Sequence, residues 1–224
     1  VFGTIGGCKK KPVRESDGKT IEKPTDKDTK DPEKAQRKGK KPPTLRKSEV
    51  DVWFAAERVT LVIDDKNVHV DGVYTFENPT TRNWRGRIGY PIYVSPSQPA
   101  PTHVVYHRAK EKTRLNIRCR TKARCAAVLS LQIGARKTET LHLSYRQSLK
   151  KRRAVYLVTT ALRWGRPLDK AEFVVRVPGW WKNVKLSYVP DVDTRARGEG
   201  GKAKRVFAIT RRNFVPDREL EVRW

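Results

Sequence analysis

From Val59 onward, apolar side chains recur at every second position. Val59, Leu61 and Ile63 share one face, with Thr60 and Val62 on the other. Asp64-Asp65-Lys66-Asn67 follows and supplies turn chemistry, since short Asp and Asn side chains bond nearby backbone groups. Beyond it, Val68, Val70, Gly72, Tyr74 and Phe76 fall on one face, and His69, Asp71, Val73, Thr75 and Glu77 on the other. A period of two sustained this far predicts a strand, and the pair predicts an antiparallel hairpin. Trp84 to Val94 resumes the alternation through Ile88, Tyr90 and Ile92, while Gly86, Gly89 and Pro91 mark bulges or an edge position.

Further strands are predicted at His103–His107, Leu115–Cys119, Ala126–Ile133, Leu141–Tyr145, the apolar run Ala154–Leu162, Phe173–Val177, Val184–Tyr188, Arg205–Thr210 and Leu220–Trp224. A turn is expected at Trp164-Gly165-Arg166-Pro167-Leu168, and a loop from Arg195 to Lys204. About ten short strands between Gly, Pro and Asn punctuation, with no long helical period, predict an all-β fold: an antiparallel β-sandwich over residues 50–224.

Before Val50 the alternation vanishes. Residues 9–49 are Lys, Asp, Glu, Thr and Pro with almost no large apolar side chain. Such a segment buries too little surface to offset its ordering entropy, so it reads as a disordered, charged linker. Asp31-Pro32 could nucleate a short helical turn. As a flexible coil the linker would reach roughly 35 Å.

Charge changes the picture next. The chain of 224 residues carries a formal net charge of +26. Residues 9–49 hold 15 Lys+Arg against 8 Asp+Glu, a net of +7, and residues 50–224 hold 35 against 16, a net of +19. The folded body is therefore basic in its own right. It should attract polyanions, whether anionic glycan, lipid headgroup or nucleic acid. Basic clusters recur at Arg108–Arg114, Arg118–Arg124, Gln147–Arg153 and Lys202–Arg212, but no RNP1, zinc-finger or helix-turn-helix signature accompanies them.

Cys119 and Cys125 lie six apart. On a hairpin they face each other across its mouth, with the five intervening residues as the loop, at a separation that disulfide geometry accepts. No metal or other cofactor site is expected. His103 and His107 share a strand face but would stand roughly 13 Å apart, too far to chelate one ion. No Gly-x-Ser-x-Gly elbow, Walker loop or dinucleotide fingerprint is present, so no catalytic residues are assigned and a non-enzymatic role is expected. In Pro178-Gly179-Trp180-Trp181-Lys182-Asn183, paired indoles beside Lys182 and Lys185 make a candidate ligand contact; on a strand only one indole would be exposed. Trp164 is expected as a core or inter-sheet plug, Asn78 and Asn213 as turn caps, and Asp217 as a turn residue.

Ile5-Gly6-Gly7-Cys8 resembles the lipobox of bacterial lipoproteins, in which the cysteine becomes the lipid-bearing N-terminus. Only Val1–Thr4 precede that motif, so residues 1–8 read as the remnant of a signal peptide cut within its apolar segment. The resemblance implies lipid attachment at Cys8, a membrane anchor, and an address on the periplasmic side of the cell envelope. Lys9 and Lys10 stand where an inner-membrane retention signal would carry Asp, which by resemblance to Gram-negative sorting points to the outer membrane. Three further stretches, Tyr74-Thr75-Phe76-Glu77-Asn78, Tyr156–Trp164 and Asn213–Val222, resemble an uncharacterised bacterial family of exported β-rich proteins. That resemblance implies a sandwich-like fold outside the cytosol and transfers no catalytic residue.

The sequence thus describes an envelope lipoprotein with a structural or binding role toward a partner protein or an anionic envelope polymer. A basic nucleic-acid-binding protein is the competing reading, and a small extracytoplasmic enzyme the third.

Overall fold

Asp64 sets the first hairpin: its Oδ1 accepts from the backbone N–H of Lys66 at 2.8 Å and of Asn67 at 2.7 Å. In the computed structural model, which describes residues 51–108, 111–121, 124–197 and 203–224, this turn joins β1 (Trp53–Ile63) to β2 (Asn67–Glu77) in antiparallel register. The lipobox, Cys8 and the linker lie outside the described residues.

Twelve further strands follow in chain order among the described residues: β3 (Trp84–Ile92), β4 (Val104–Arg108), β5 (Glu111–Leu115), β6 (Ile117–Thr121), β7 (Arg124–Ile133), β8 (Thr138–Ser148), β9 (Arg153–Tyr156), β10 (Leu168–Pro178), β11 (Lys185–Leu186), β12 (Val192–Arg197), β13 (Ala203–Phe214) and β14 (Leu220–Arg223). The architecture is an all-β sandwich. One layer is an eight-stranded sheet in the order β12-β13-β10-β1-β2-β8-β4-β5. The other consists of two three-stranded sheets, β11-β14-β9 and β3-β7-β6. Val59, Leu61 and Ile63 of β1 and Phe173 and Val175 of β10 pack in one core with Ile92, Leu129, Leu131, Leu220 and Val222 of the small sheets.

The two-residue period holds through β1 until a bulge at Ala55, where the pairing with β2 slips between Phe54 and Ala56. The extra residue changes parity, as bulges do. Phe54 and Glu57 consequently both lie on the buried side.

Several expectations are corrected. The sheet is not wholly antiparallel, because β1 and β10 pair in parallel. A parallel pair needs a long crossover, and here everything from β2 to the segment before β10 supplies it. The strand expected at Leu115–Cys119 breaks at Asn116, where the chain leaves the large sheet as β5 and enters a small one as β6. Ala154–Leu162 is not one strand: β9 ends at Tyr156 and a 3-10 helix runs Thr159–Trp164. Glu219 accepts from the N–H groups of Val158 and Thr159 at 2.6 and 3.1 Å, satisfying donors that a strand would have paired. Gly165 closes the helix at φ 71°, a left-handed conformation that costs glycine little. The expected Val184–Tyr188 strand shortens to Lys185–Leu186. The expected loop Arg195–Lys204 overlaps β12 and the start of β13, with residues 198–202 outside the described set. β12 is an edge strand whose described side chains are all exposed, so no apolar alternation announces it. Asn213 adopts a positive φ of 48° within β13.

β3 is an edge strand, as Gly86, Gly89 and Pro91 suggested. Cys119 and Cys125 form a disulfide and are cross-strand partners on β6 and β7. The hairpin is tighter than the expected five-residue loop, since Thr121 still pairs with Arg124. In the chain-entropy description, closing so short a loop contributes about 2 kcal/mol. Cys119→Ser/Cys125→Ser, or reduction of the native chain, should lower the unfolding free energy by that amount and the denaturation midpoint with it. An unchanged midpoint would show that the cross-link adds nothing to a hairpin already held by the sheet.

Candidate functional site

The two small sheets leave a gap between them. On one side lies β3, carrying Arg87, Gly89 and Tyr90; on the other lie Tyr156 at the end of β9 and Thr160, Arg163 and Trp164 of the 3-10 helix. The gap opens into a cavity of about 630 Å³ that reaches the inner face of β1, β2 and β8 at Phe54, Glu57, Tyr74, Phe76, Leu141 and Leu143. That volume falls within the few hundred to a thousand Å³ of typical small-ligand sites.

Glu57 is the unusual member. It is only 5% exposed. Its Oε2 accepts a long 3.4 Å bond from the Tyr156 hydroxyl, and its buried Oε1 has no partner. Three tyrosine hydroxyls form a chain behind it. Tyr90 and Tyr74 are 2.7 Å apart, and Tyr74 and Tyr156 are 3.0 Å apart. Each hydroxyl has one proton. With Tyr156 donating to Glu57, each remaining hydroxyl donates once if Tyr90 donates to Tyr74 and Tyr74 to Tyr156. Gly72 gives Tyr74 its place: a Cβ there would stand 2.0 Å from the Tyr74 hydroxyl.

Burial disfavours the charged form of every group here. It raises the Glu57 carboxyl to about 8, with the Tyr156 hydrogen bond pulling the other way. Burial likewise holds the Tyr74, Tyr90, Tyr145 and Tyr156 hydroxyls well above the ordinary phenol value. Aromatic rings make much of the wall. Phe54 stacks on Phe76 at 5.1 Å between centroids, and Trp164 leans on them at 6.0 and 5.3 Å, the inter-sheet packing position expected for this tryptophan.

The candidate residues read from the sequence lie elsewhere. Trp181 is buried and stacked on Trp224 at 4.4 Å, whereas Trp180 is 61% exposed. Lys182 and Lys185 are exposed beside them, and none of the four lines the cavity. His103 precedes β4 and bonds Thr102. His107 instead stacks on His142 across β4 and β8, centroids 4.2 Å apart. Its Nε2 is 2.8 Å from the Ser144 hydroxyl, while His142 Nε2 is 3.0 Å from Asp71. Burial, then His142 and Lys112, push His107 below the usual imidazole value. Among the described residues no three His, Cys, Asp or Glu side chains are placed to hold a metal ion.

Sequence reasoning missed Glu57. The signal was available: Glu57 has the parity of Val59, Leu61 and Ile63, so the alternation places a carboxylate on the apolar face.

No protein-family model matches the chain, and no curated protein matches it significantly. Among solved structures, a Legionella pneumophila protein provisionally assigned to nutrient binding is similar at a TM-score of 0.57 and 11% identity, covering 78% of this chain and 67% of that one. At such identity the likeness shows a shared fold. An M1 zinc metallopeptidase from Deinococcus radiodurans is 14% identical with a TM-score of 0.43, covering 77% of this chain and 42% of the enzyme. That second likeness carries no argument.

Proposed function

We propose that this chain is the binding module of a bacterial envelope lipoprotein and that the cavity between its small sheets receives a small organic solute. The observation that carries the reading is the cavity of about 630 Å³ ending on a buried, half-partnered carboxyl. A purely structural core would have little use for such a group, since burying a polar atom without a partner costs free energy. The nutrient-binding assignment of the Legionella protein is compatible with a binding role on this fold.

The rest of the chain fits the same reading. An acyl group on Cys8 would anchor it, residues 9–49 would hold the body clear of the membrane, and the net +19 of residues 50–224 would draw it toward anionic headgroups or glycans.

The test uses an uncharged fluorescent probe, N-phenyl-1-naphthylamine, which brightens in apolar surroundings. One saturable site per chain is expected. Thr160→Trp, which fills the cavity wall from the 3-10 helix, should weaken binding at least about tenfold while leaving the thermal midpoint close to that of the native chain, because Thr160 is only half-buried. Absence of saturable binding, or binding that Thr160→Trp leaves intact, would overturn the reading.

A further inference from the structure

Resting on that reading, we infer that the solute is amphoteric and amino-acid-like, with a protonated amine that reaches the free Oε1 of Glu57 and an anionic group that stays at the rim with Arg87 and Arg163. The geometry at Glu57 selects the inner group. Tyr156 donates to Oε2, and Oε1 has no partner in the protein. A carboxylate oxygen accepts and does not donate. Once Glu57 is ionised, what the site lacks is an N–H or O–H donor delivered from the cavity.

The wall selects among donors. Phe54, Tyr74, Phe76, Trp84 and Trp164 line the cavity with aromatic rings, whose quadrupoles attract a cation that meets a ring face. The Tyr156 hydroxyl that donates to Oε2 stabilises the ionised form of Glu57 once a cation supplies the missing charge. In the empty cavity that form is disfavoured by burial, and the carboxyl holds its proton at neutral pH. Entry of an ammonium group then exchanges one proton for one cation: the Glu57 proton leaves to solvent and the N⁺–H group takes its place against Oε1. The titratable and charged groups around Glu57 are Tyr74, Tyr90, Tyr145 and Tyr156, with Arg87 and Arg163 lining the same cavity. The phenols titrate well above neutrality, so Glu57 is the group that releases the proton.

The rim selects the outer group. A simple amine would meet two guanidiniums on entry, whereas a carboxylate on the same molecule pairs with them. Size agrees, since the cavity holds a molecule of amino-acid to dipeptide dimensions.

The experiment is displacement of N-phenyl-1-naphthylamine from the full chain by three molecules that differ in one group each: phenylalanine, phenylalanine amide and 3-phenylpropionate. Phenylalanine should bind about tenfold or more tighter than either of the others. Titration calorimetry in two buffers of different ionisation enthalpy should show close to one proton released per phenylalanine at neutral pH. Glu57→Gln, with binding read directly by calorimetry, should abolish both the proton release and the preference over 3-phenylpropionate. If 3-phenylpropionate or the amide binds as tightly as phenylalanine, if no proton is released, or if none of the three displaces a bound probe, this inference falls and the cavity reading stands. If the probe itself does not bind, the cavity reading falls.

Discussion

Between about pH 5 and about pH 9 the folded chain should lose several kcal/mol of stability, and Glu57→Gln should remove most of that loss. The sign follows from where the proton sits. In the unfolded chain Glu57 titrates at the ordinary value of 4.5; in the folded chain burial raises it to about 8. Between those values the folded state holds a proton that the unfolded state has released. Stability is then fully present below the unfolded value and falls as pH rises, until it levels off above the folded value. The interval is roughly 3.5 pH units at about 1.4 kcal/mol per unit, which sets a ceiling on the order of 5 kcal/mol. Other groups act in other windows or in the opposite sense. Asp191, Asp193, Glu172 and Glu221 have lowered values, so their contribution is present at neutral pH and lost in acid. His107 is also lowered, so its contribution grows as pH rises through the imidazole range. Comparing native chain and variant at each pH cancels both. Unfolding free energies from denaturant titration should converge near about pH 5 and separate by several kcal/mol near about pH 9, with the variant the more stable. Parallel profiles would mean that Glu57 is hydrated or partnered in solution.

That single side chain also shows how far the sequence could be read. The hairpin from Val59 to Glu77 was legible because a strand with one buried face writes its alternation directly into the chain. By the same rule Val68, Val70, Gly72, Tyr74 and Phe76 were placed on the inner face, where they lie. Extending the rule two residues back would have put Glu57 beside them, but acidic residues are ordinarily exposed and the reading stopped at Val59. The bulge at Ala55 was not legible, because one extra residue leaves no local mark in Ala55-Ala56.

Assembly of the site was further out of reach. Tyr74 and Tyr156 are 82 residues apart and meet only when β9 of a small sheet lies over β2 of the large one. Alternation tells which face a side chain takes and says nothing about which strand it meets. β12 failed for a related reason: an edge strand exposed on both faces needs no apolar side chains, and its charged run read as a loop. The disulfide was the long-range feature within reach, because its two cysteines close a single local hairpin.

Asn78→Asp should destabilise the chain more than Asn78→Ala, by an amount on the order of 4 kcal/mol at neutral pH against about 2–3 kcal/mol. Asn78 is nearly fully buried at the end of the Tyr74–Asn78 stretch. Its Nδ2 faces three carbonyls, those of Arg82, Ile133 and Gly134, at 2.7, 3.2 and 3.0 Å. Its Oδ1 accepts from the backbone N–H and the hydroxyl of Thr80 at 3.1 and 2.7 Å. The amide orientation is fixed by those partners, because the reverse would turn an acceptor toward three acceptors. Through these bonds one side chain ties the loop after β2 to the end of β7, beside the backbone bonds from Asn78 N–H to Lys137 O and from Arg136 N–H to Thr80 O. Alanine leaves the three carbonyls short of a donor, a cost that water entering the loop can partly relieve. Aspartate is nearly the same shape but places a carboxylate oxygen against all three, so electrostatic repulsion and a buried charge add to the lost bonds. A protonated carboxyl can donate one bond again, so acidification should recover part of the Asp variant's stability and none of the Ala variant's. Denaturant midpoints of the three chains at about pH 4 and about pH 7 decide the matter. Equal costs for Ala and Asp at both pH values would show that the carboxylate adds no penalty beyond the lost bonds, because water reaches the three carbonyls.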